Sequence, residues 1–180
     1  MTHISKLRRR QVLRAGLGVL LLPSVVNAAE GCLRTPSSTA GPFYPGDEAL
    51  DFAADLTQRP GGAMAKGDRV VVEGRVLDAS CAPLANANVE LWQADPRGRY
   101  DHPRAGGGTL DPGFLYKARV QSDREGHYRF TTLRPGRYPG RTPQLHFRVR
   151  TVDGRDLTTQ MYFADETDNQ RDGLWQRTPH

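Results

Sequence analysis

Acidic residues are missing from the first 28 positions, which hold Lys6, Arg8, Arg9, Arg10 and Arg14. That local absence accounts for the whole basic excess. The 180-residue chain carries 25 Lys and Arg against 20 Asp and Glu, a formal net charge of +5, and beyond residue 28 the two signs balance. With no basic surplus in the bulk of the chain, nucleic acid is not an expected partner. A membrane-spanning run is missing too. The apolar stretch 15–26 is broken by Gly16, Gly18 and Pro23, whereas a bilayer core of about 30 Å needs roughly 20 apolar residues. No stable membrane anchor is therefore expected. No long stretch keeps a helical spacing and no segment repeats another, which argues against helical and repeat architectures. Cysteine is scarce: Cys32 and Cys81 are the two, enough for one disulfide. The length allows one domain with a core of useful size.

What is present begins with a targeting pattern. Arg9-Arg10-Gln11-Val12-Leu13-Arg14 fits a twin-arginine signal, a basic pair before an apolar pair and another basic residue. Val26-Asn27-Ala28 offers small residues for cleavage. The reading is a signal peptide over 1–28, export by the twin-arginine machinery, and a mature domain over 29–180 in the periplasm or outside the cell. A basic arm that stays attached is the alternative. An oxidising compartment favours a Cys32–Cys81 disulfide over two free thiols. Closing a loop of about 50 residues stabilises by roughly 4 kcal/mol in the chain-entropy model.

The mature chain reads as strands and turns. Strands are expected over 69–77, 88–94, 118–121, 127–132, 145–151 and 157–163, where β-branched and alternating residues gather. Pro83, Pro96-Arg97-Gly98, Gly106-Gly107-Gly108, Pro135-Gly136 and Asp153-Gly154 punctuate them. The expected fold is all-β, an antiparallel β-sandwich with an irregular N-terminal lead-in over 31–68 and long active-site loops, chiefly 96–114. In the strand Gln144-Leu145-His146-Phe147-Arg148-Val149, alternation puts Leu145, Phe147 and Val149 in the core and Gln144, His146 and Arg148 on the other face.

Several motifs carry a family likeness. Gly41-Pro42-Phe43-Tyr44-Pro45 precedes a Trp92-Gln93-Ala94 strand and Gly98-Arg99-Tyr100. Asp111-Pro112-Gly113-Phe114, Gly126-His127-Tyr128-Arg129-Phe130, Pro135-Gly136-Arg137-Tyr138-Pro139 and Leu157-Thr158-Thr159-Gln160-Met161-Tyr162-Phe163 follow in order. Over about residues 32–175 the chain resembles the intradiol ring-cleavage dioxygenases, specifically the exported, protocatechuate dioxygenase β-subunit-like branch. The resemblance implies an Fe(III) ion held by two tyrosines and two histidines. It implies a small aromatic diol and O2 as substrates, and a muconate-type diacid as product. Tyr100 and Tyr138 match the tyrosines, with Tyr138 the one displaced by substrate. Arg141 matches a residue that stabilises charge on the substrate during O2 attack, and Gln160 one that lines the site. Two phenolates and a hydroxide would balance a trivalent ion, and oxygen donors suit so hard a cation.

The chain departs from the family at three places. The His-x-His pattern reads Gln144-Leu145-His146, so His146 matches one histidine and Gln144 stands at the other. Leu115-Tyr116-Lys117-Ala118 replaces a glycine-rich turn. The sequence ends soon after Trp175, where relatives commonly have one more strand. Three outcomes stay open for Gln144: its oxygen or a water fills the position in a weakened enzyme, His102 or His127 replaces it, or the protein is an inactive exported binding module on the same fold. The identity of the diol and the oligomeric state, including a homo-oligomer, stay open as well.

Overall fold

Runs of β-branched residues become the strands. A computed structural model describes residues 32–46 and 50–178, and the signal expected over 1–28 lies outside them. Among the described residues the strands are β1 Asp51–Phe52, β2 Arg69–Arg75, β3 Asn88–Trp92, β4 Lys117–Gln121, β5 His127–Leu133, β6 Gln144–Arg150 and β7 Asp156–Tyr162. One sheet has five strands in the order β1-β4-β3-β6-β7, and the other pairs β2 with β5. The described residues all fall in one unit, 31–180.

The architecture is the all-β sandwich expected, with β2 ending at Arg75 rather than 77 and two further differences. β1 was not foreseen, and it pairs parallel to β4 at the sheet edge, whereas the other pairings are antiparallel. The long connection from β1 to β4 through β2 and β3 permits that direction, which a hairpin could not make. β3 also stops at Trp92 rather than 94. The buried Gln93 amide turns instead to the Ala94 and Leu133 carbonyls, and its oxygen accepts from Thr132 Oγ1.

The main core lies between the sheets and includes Val72, Leu91, Phe130, Leu145 and Phe147. Gln144 and His146 project from the opposite face of β6 and are buried as well. That face is covered by the lead-in and the long loops, which form a second cluster of Trp92, Ala94 and Tyr100 with Phe43, Tyr44 and Tyr138 packed on it. The lead-in is strapped down by backbone and side-chain bonds to β7: Ser38 N to Thr158 O at 2.8 Å, Thr159 Oγ1 to Pro36 O at 2.8 Å and Gln160 Nε2 to Thr39 O at 2.9 Å. Its start is fastened by the Cys32–Cys81 disulfide, as the cysteine count implied. Farther on, Tyr44 donates to the buried Glu90 at 3.0 Å and accepts from Arg148 at 2.8 Å. Glu90 is also paired with Arg150, which supplies the partner a buried carboxylate requires.

Candidate active site

Two loops bring the tyrosines together. After β3 the chain turns on Asp95, whose Oδ1 accepts from Arg97 N at 2.8 Å and Arg99 N at 3.0 Å. This side-chain-stabilised turn is what an Asp before a Gly-containing bend favours. Tyr116, left-handed at φ 61°, supports it from below, its hydroxyl donating to Asp95 Oδ2 at 3.3 Å. The turn then meets the loop after β5 backbone to backbone. Gly136 N donates to Asp95 O at 2.9 Å. A Cβ on Gly98 would lie 1.9 Å from Arg137 O, and one on Gly136 2.2 Å from Pro96 O. Only glycine permits so close an approach. The contact sets the Tyr100 and Tyr138 rings perpendicular with centroids 5.5 Å apart.

β6 supplies the other donors. Trp92 faces His146 across the β3–β6 ladder and stacks on it with centroids 5.1 Å apart. His146 lies 6.1 Å, centroid to centroid, from Tyr100. Gln144 Nε2 donates to Tyr138 Oη at 3.0 Å and is 3.5 Å from His146 Nε2. Phe43 from the lead-in stacks on Tyr100 at 4.6 Å and meets Tyr138 edge-on at 5.9 Å. Arg141 Nη1 donates to Tyr138 Oη at 3.1 Å, and its Nη2 to Gln160 Oε1 at 2.6 Å and Tyr162 Oη at 3.2 Å. Tyr100, Tyr138, Arg141, Gln144, His146 and Gln160 thus form one connected cluster.

The two substitute histidines are not hydrogen-bonded to it. His127 lies exposed on β5, opposite Arg75, and lines a separate cleft with Glu73 and Tyr128. His102 uses Nδ1 to accept Arg104 N at 3.1 Å, and its ring meets Phe43 edge-on. Among the described residues neither bonds to Tyr100, Tyr138, Gln144 or His146. The chain order that made them candidates carries no information on which sheet face they occupy.

Burial sets the proton balance. It raises the Tyr100 phenol well above 10, with Tyr138 adding to the rise and the Arg141 charge opposing it. It pushes His146 down to about 3, and Arg141 adds to that. The imidazole is therefore neutral at pH 7, with a lone pair to offer. Tyr100 Oη and His146 Nδ1 are buried without a hydrogen-bond partner, a state that native structures normally resolve with a ligand or water. Two phenols, an imidazole and an amide that presents its oxygen after a half-turn suit a hard cation. Among the described residues no group of three or more His, Cys, Asp or Glu side chains could hold a metal.

Asp172 and Tyr162 contact Arg141 without having been foreseen, and Asn169 holds the same loop through Thr142. Asp172 Oδ2 accepts from Arg141 Nε at 2.8 Å, and burial is outweighed by that bond and by backbone donors, so its carboxyl stays below the usual range. Thr142 Oγ1 donates to Asn169 Oδ1 at 2.9 Å. The available signal was two matched charge rows, Arg134, Arg137 and Arg141 against Asp165, Glu166, Asp168 and Asp172.

The family model described as Dioxygenase matches residues 39–175. The chain is 38% identical over 148 residues to the protocatechuate 3,4-dioxygenase beta chain of Burkholderia cepacia, covering 77% of this chain and 63% of that protein. It is 27% identical over 172 residues to the hydroxyquinol 1,2-dioxygenase of Rhizobium sp. (strain MTP-10005), covering 83% and 55%. It thus spans less than two thirds of either relative. The dioxygenase domain of a dioxygenase carbohydrate-binding protein fusion from Streptomyces sp. SirexAA-E superposes with a TM-score of 0.63 at 29% identity, over 78% of this chain and 82% of that one. The intradiol ring-cleavage dioxygenase from Tetranychus urticae shares the fold, with a TM-score of 0.67 at 24% identity and 82% of each chain covered.

Proposed function

Because the chain belongs to the intradiol ring-cleavage dioxygenase family, we propose that it opens a catechol-type diol with O2 between the two hydroxyl-bearing carbons, yielding a muconate-type diacid. Tyr100, Tyr138 and His146 would hold an iron(III) ion, with the Gln144 amide in the fourth position. The observation that carries this reading is the buried, unpartnered Tyr100 hydroxyl, set beside Tyr138 and His146 in one cluster. Iron(III), when bound, would supply the electron withdrawal that activates the diol ring toward O2.

The chain's own residues do the rest. With iron(III) bound Tyr138 would be a phenolate, and its Oη would take a proton from a catechol hydroxyl when the diol enters. Arg141 and Gln144, at 3.1 and 3.0 Å, keep that oxygen in place as it changes protonation. The Arg141 charge stabilises negative charge building on the diol. Gln160 orients Arg141, and Phe43 and Trp92 wall the pocket against water. Gln144 is uncharged like imidazole but a weaker donor, so iron binding is weakened. One observation favours the second reading, an inactive binding module: the Gln144 amide already satisfies the Tyr138 hydroxyl without a metal.

We also propose export by the twin-arginine route, which rests on Arg9, Arg10 and the cleavage pattern near Ala28. The deciding experiment is metal analysis of mature protein from iron-replete cells, followed by O2 uptake with catechol, protocatechuate and hydroxyquinol. Bound iron, a burgundy tyrosinate-to-iron colour and muconate-type absorbance are expected. Colourless, iron-free protein would leave the binding module.

A further inference from the structure

The loop carrying Tyr138 and Arg141 is fastened to the segment after β7 by four ion pairs from three arginines. Arg134 reaches Asp165 at 2.9 Å and Glu166 at 2.7 Å, Arg137 reaches Asp168, and Arg141 reaches Asp172. Arg137 and Asp165 are largely exposed, and pairs of that kind contribute little. The Arg141–Asp172 pair differs, since the Asp172 side chain is 1% exposed and that of Arg141 14%. Both Asp172 oxygens are used twice. Oδ2 accepts from Arg141 Nε at 2.8 Å and Thr142 N at 3.0 Å, and Oδ1 from Leu174 N at 2.8 Å and Trp175 N at 3.2 Å.

The carboxylate is thus locked by backbone on both edges before it meets Arg141. A guanidinium is planar, so fixing its Nε–H direction also fixes where its other donors point. Here they point to Tyr138 Oη, Gln160 Oε1 and Tyr162 Oη. Resting on the diol-cleaving reading above, we propose that Asp172 is a positioning residue: it aims the Arg141 guanidinium at the Tyr138 hydroxyl, and so at the diol oxygen that Tyr138 serves. A displacement of about 1 Å in such a group can cost on the order of 100-fold in rate. An Asn at 172 must turn its NH2 toward one of two donor pairs, and so it cannot hold both edges.

The test compares Asp172→Asn, Arg141→Lys and Asp168→Asn, the last cutting the neighbouring ion pair without touching Arg141. In the metal-free parent, 15N–1H spectra should include a slowly exchanging Nε–H that belongs to Arg141, assigned by its loss in Arg141→Lys. It should be lost in Asp172→Asn and kept in Asp168→Asn. In iron-loaded protein, Asp172→Asn should lower kcat about 10–100-fold, with KM within about threefold. Its iron content should be unchanged and its visible band moved to longer wavelength. Asp168→Asn should match the parent. A parent without a protected Arg141 Nε–H, an Asp168→Asn loss equal to that of Asp172→Asn, or full kcat in Arg141→Lys would each overturn the assignment. If Asp172→Asn does not fold, the parent signal and Arg141→Lys still decide. An inactive parent that shows the protected signal would defeat the diol-cleaving reading, and with it the catalytic half of this proposal; the Asp172–Arg141 lock would remain.

Discussion

Gln144 is the residue on which the proposed chemistry turns. It is buried, touches Tyr138 Oη and comes within 3.5 Å of His146 Nε2. An imidazole there would recreate a His-x-His pair on the same strand face. Gln144→His should tighten iron binding by at least about tenfold, the scale seen for lost supporting ligand contacts, and raise O2 uptake with it. Titration with iron(III) under a weak competing chelator measures the change. No gain would mean that the pocket is limited elsewhere. His146 makes a second prediction, in the metal-free protein. Its folded-state proton affinity is pushed down to about 3 by burial and then by Arg141, whereas an unfolded imidazole titrates near 6.5. Stability is therefore complete above about pH 6.5 and declines as pH falls through that value toward 3, because the unfolded chain binds the proton. Urea midpoints should fall between pH 7 and about 4.5, before most carboxylates titrate, and the slope should flatten in His146→Gln. Midpoints of the parent that stay level over that range would count against a neutral, buried His146. At this scale residue types were legible, since phenols, imidazole and arginine announce their chemistry. Asp172 was not, because its role depends on a partner 31 residues away.

The elements place these residues through two loops and a strap. The closest approach is at Gly98 and Gly136, where a Cβ would collide with a backbone oxygen of the other loop. Gly136→Ala should push the Tyr100 and Tyr138 loops apart and destabilise the fold by about 2 kcal/mol or more, the scale of overpacked or strained sites. Urea unfolding reads the stability, and loss of the tyrosinate-to-iron colour reads the separation. Unchanged stability and colour would show that the loops meet less tightly. Six strands were readable from β-branched runs and Pro or Gly punctuation, with ends within two residues. β1 was not, because a two-residue strand has no period to detect. Its parallel pairing with β4 depends on where the lead-in lands on the sheet.

For the whole molecule, export and folding meet in the disulfide. Cys32 lies just past the proposed cleavage site and is bonded to Cys81, 49 residues on, a bond that an oxidising compartment sustains. Replacing Arg9 and Arg10 by Lys should leave the protein in the cytoplasm. Fractionation against a periplasmic marker tests this, and normal periplasmic accumulation would reject the twin-arginine reading. Charge balance, turn residues, strand alternation and motif order were determined by the sequence alone, because each is a property of near neighbours or of chain order. Alternation placed Gln144 and His146 on one face of β6, and they lie there, opposite Leu145 and Phe147. Only the tertiary structure decided that this second face is buried, that His127 sits on the other sheet, and that Asp172 and Arg141 meet. Those facts arise from close packing between segments with no common period, and such contacts leave no trace in local spacing.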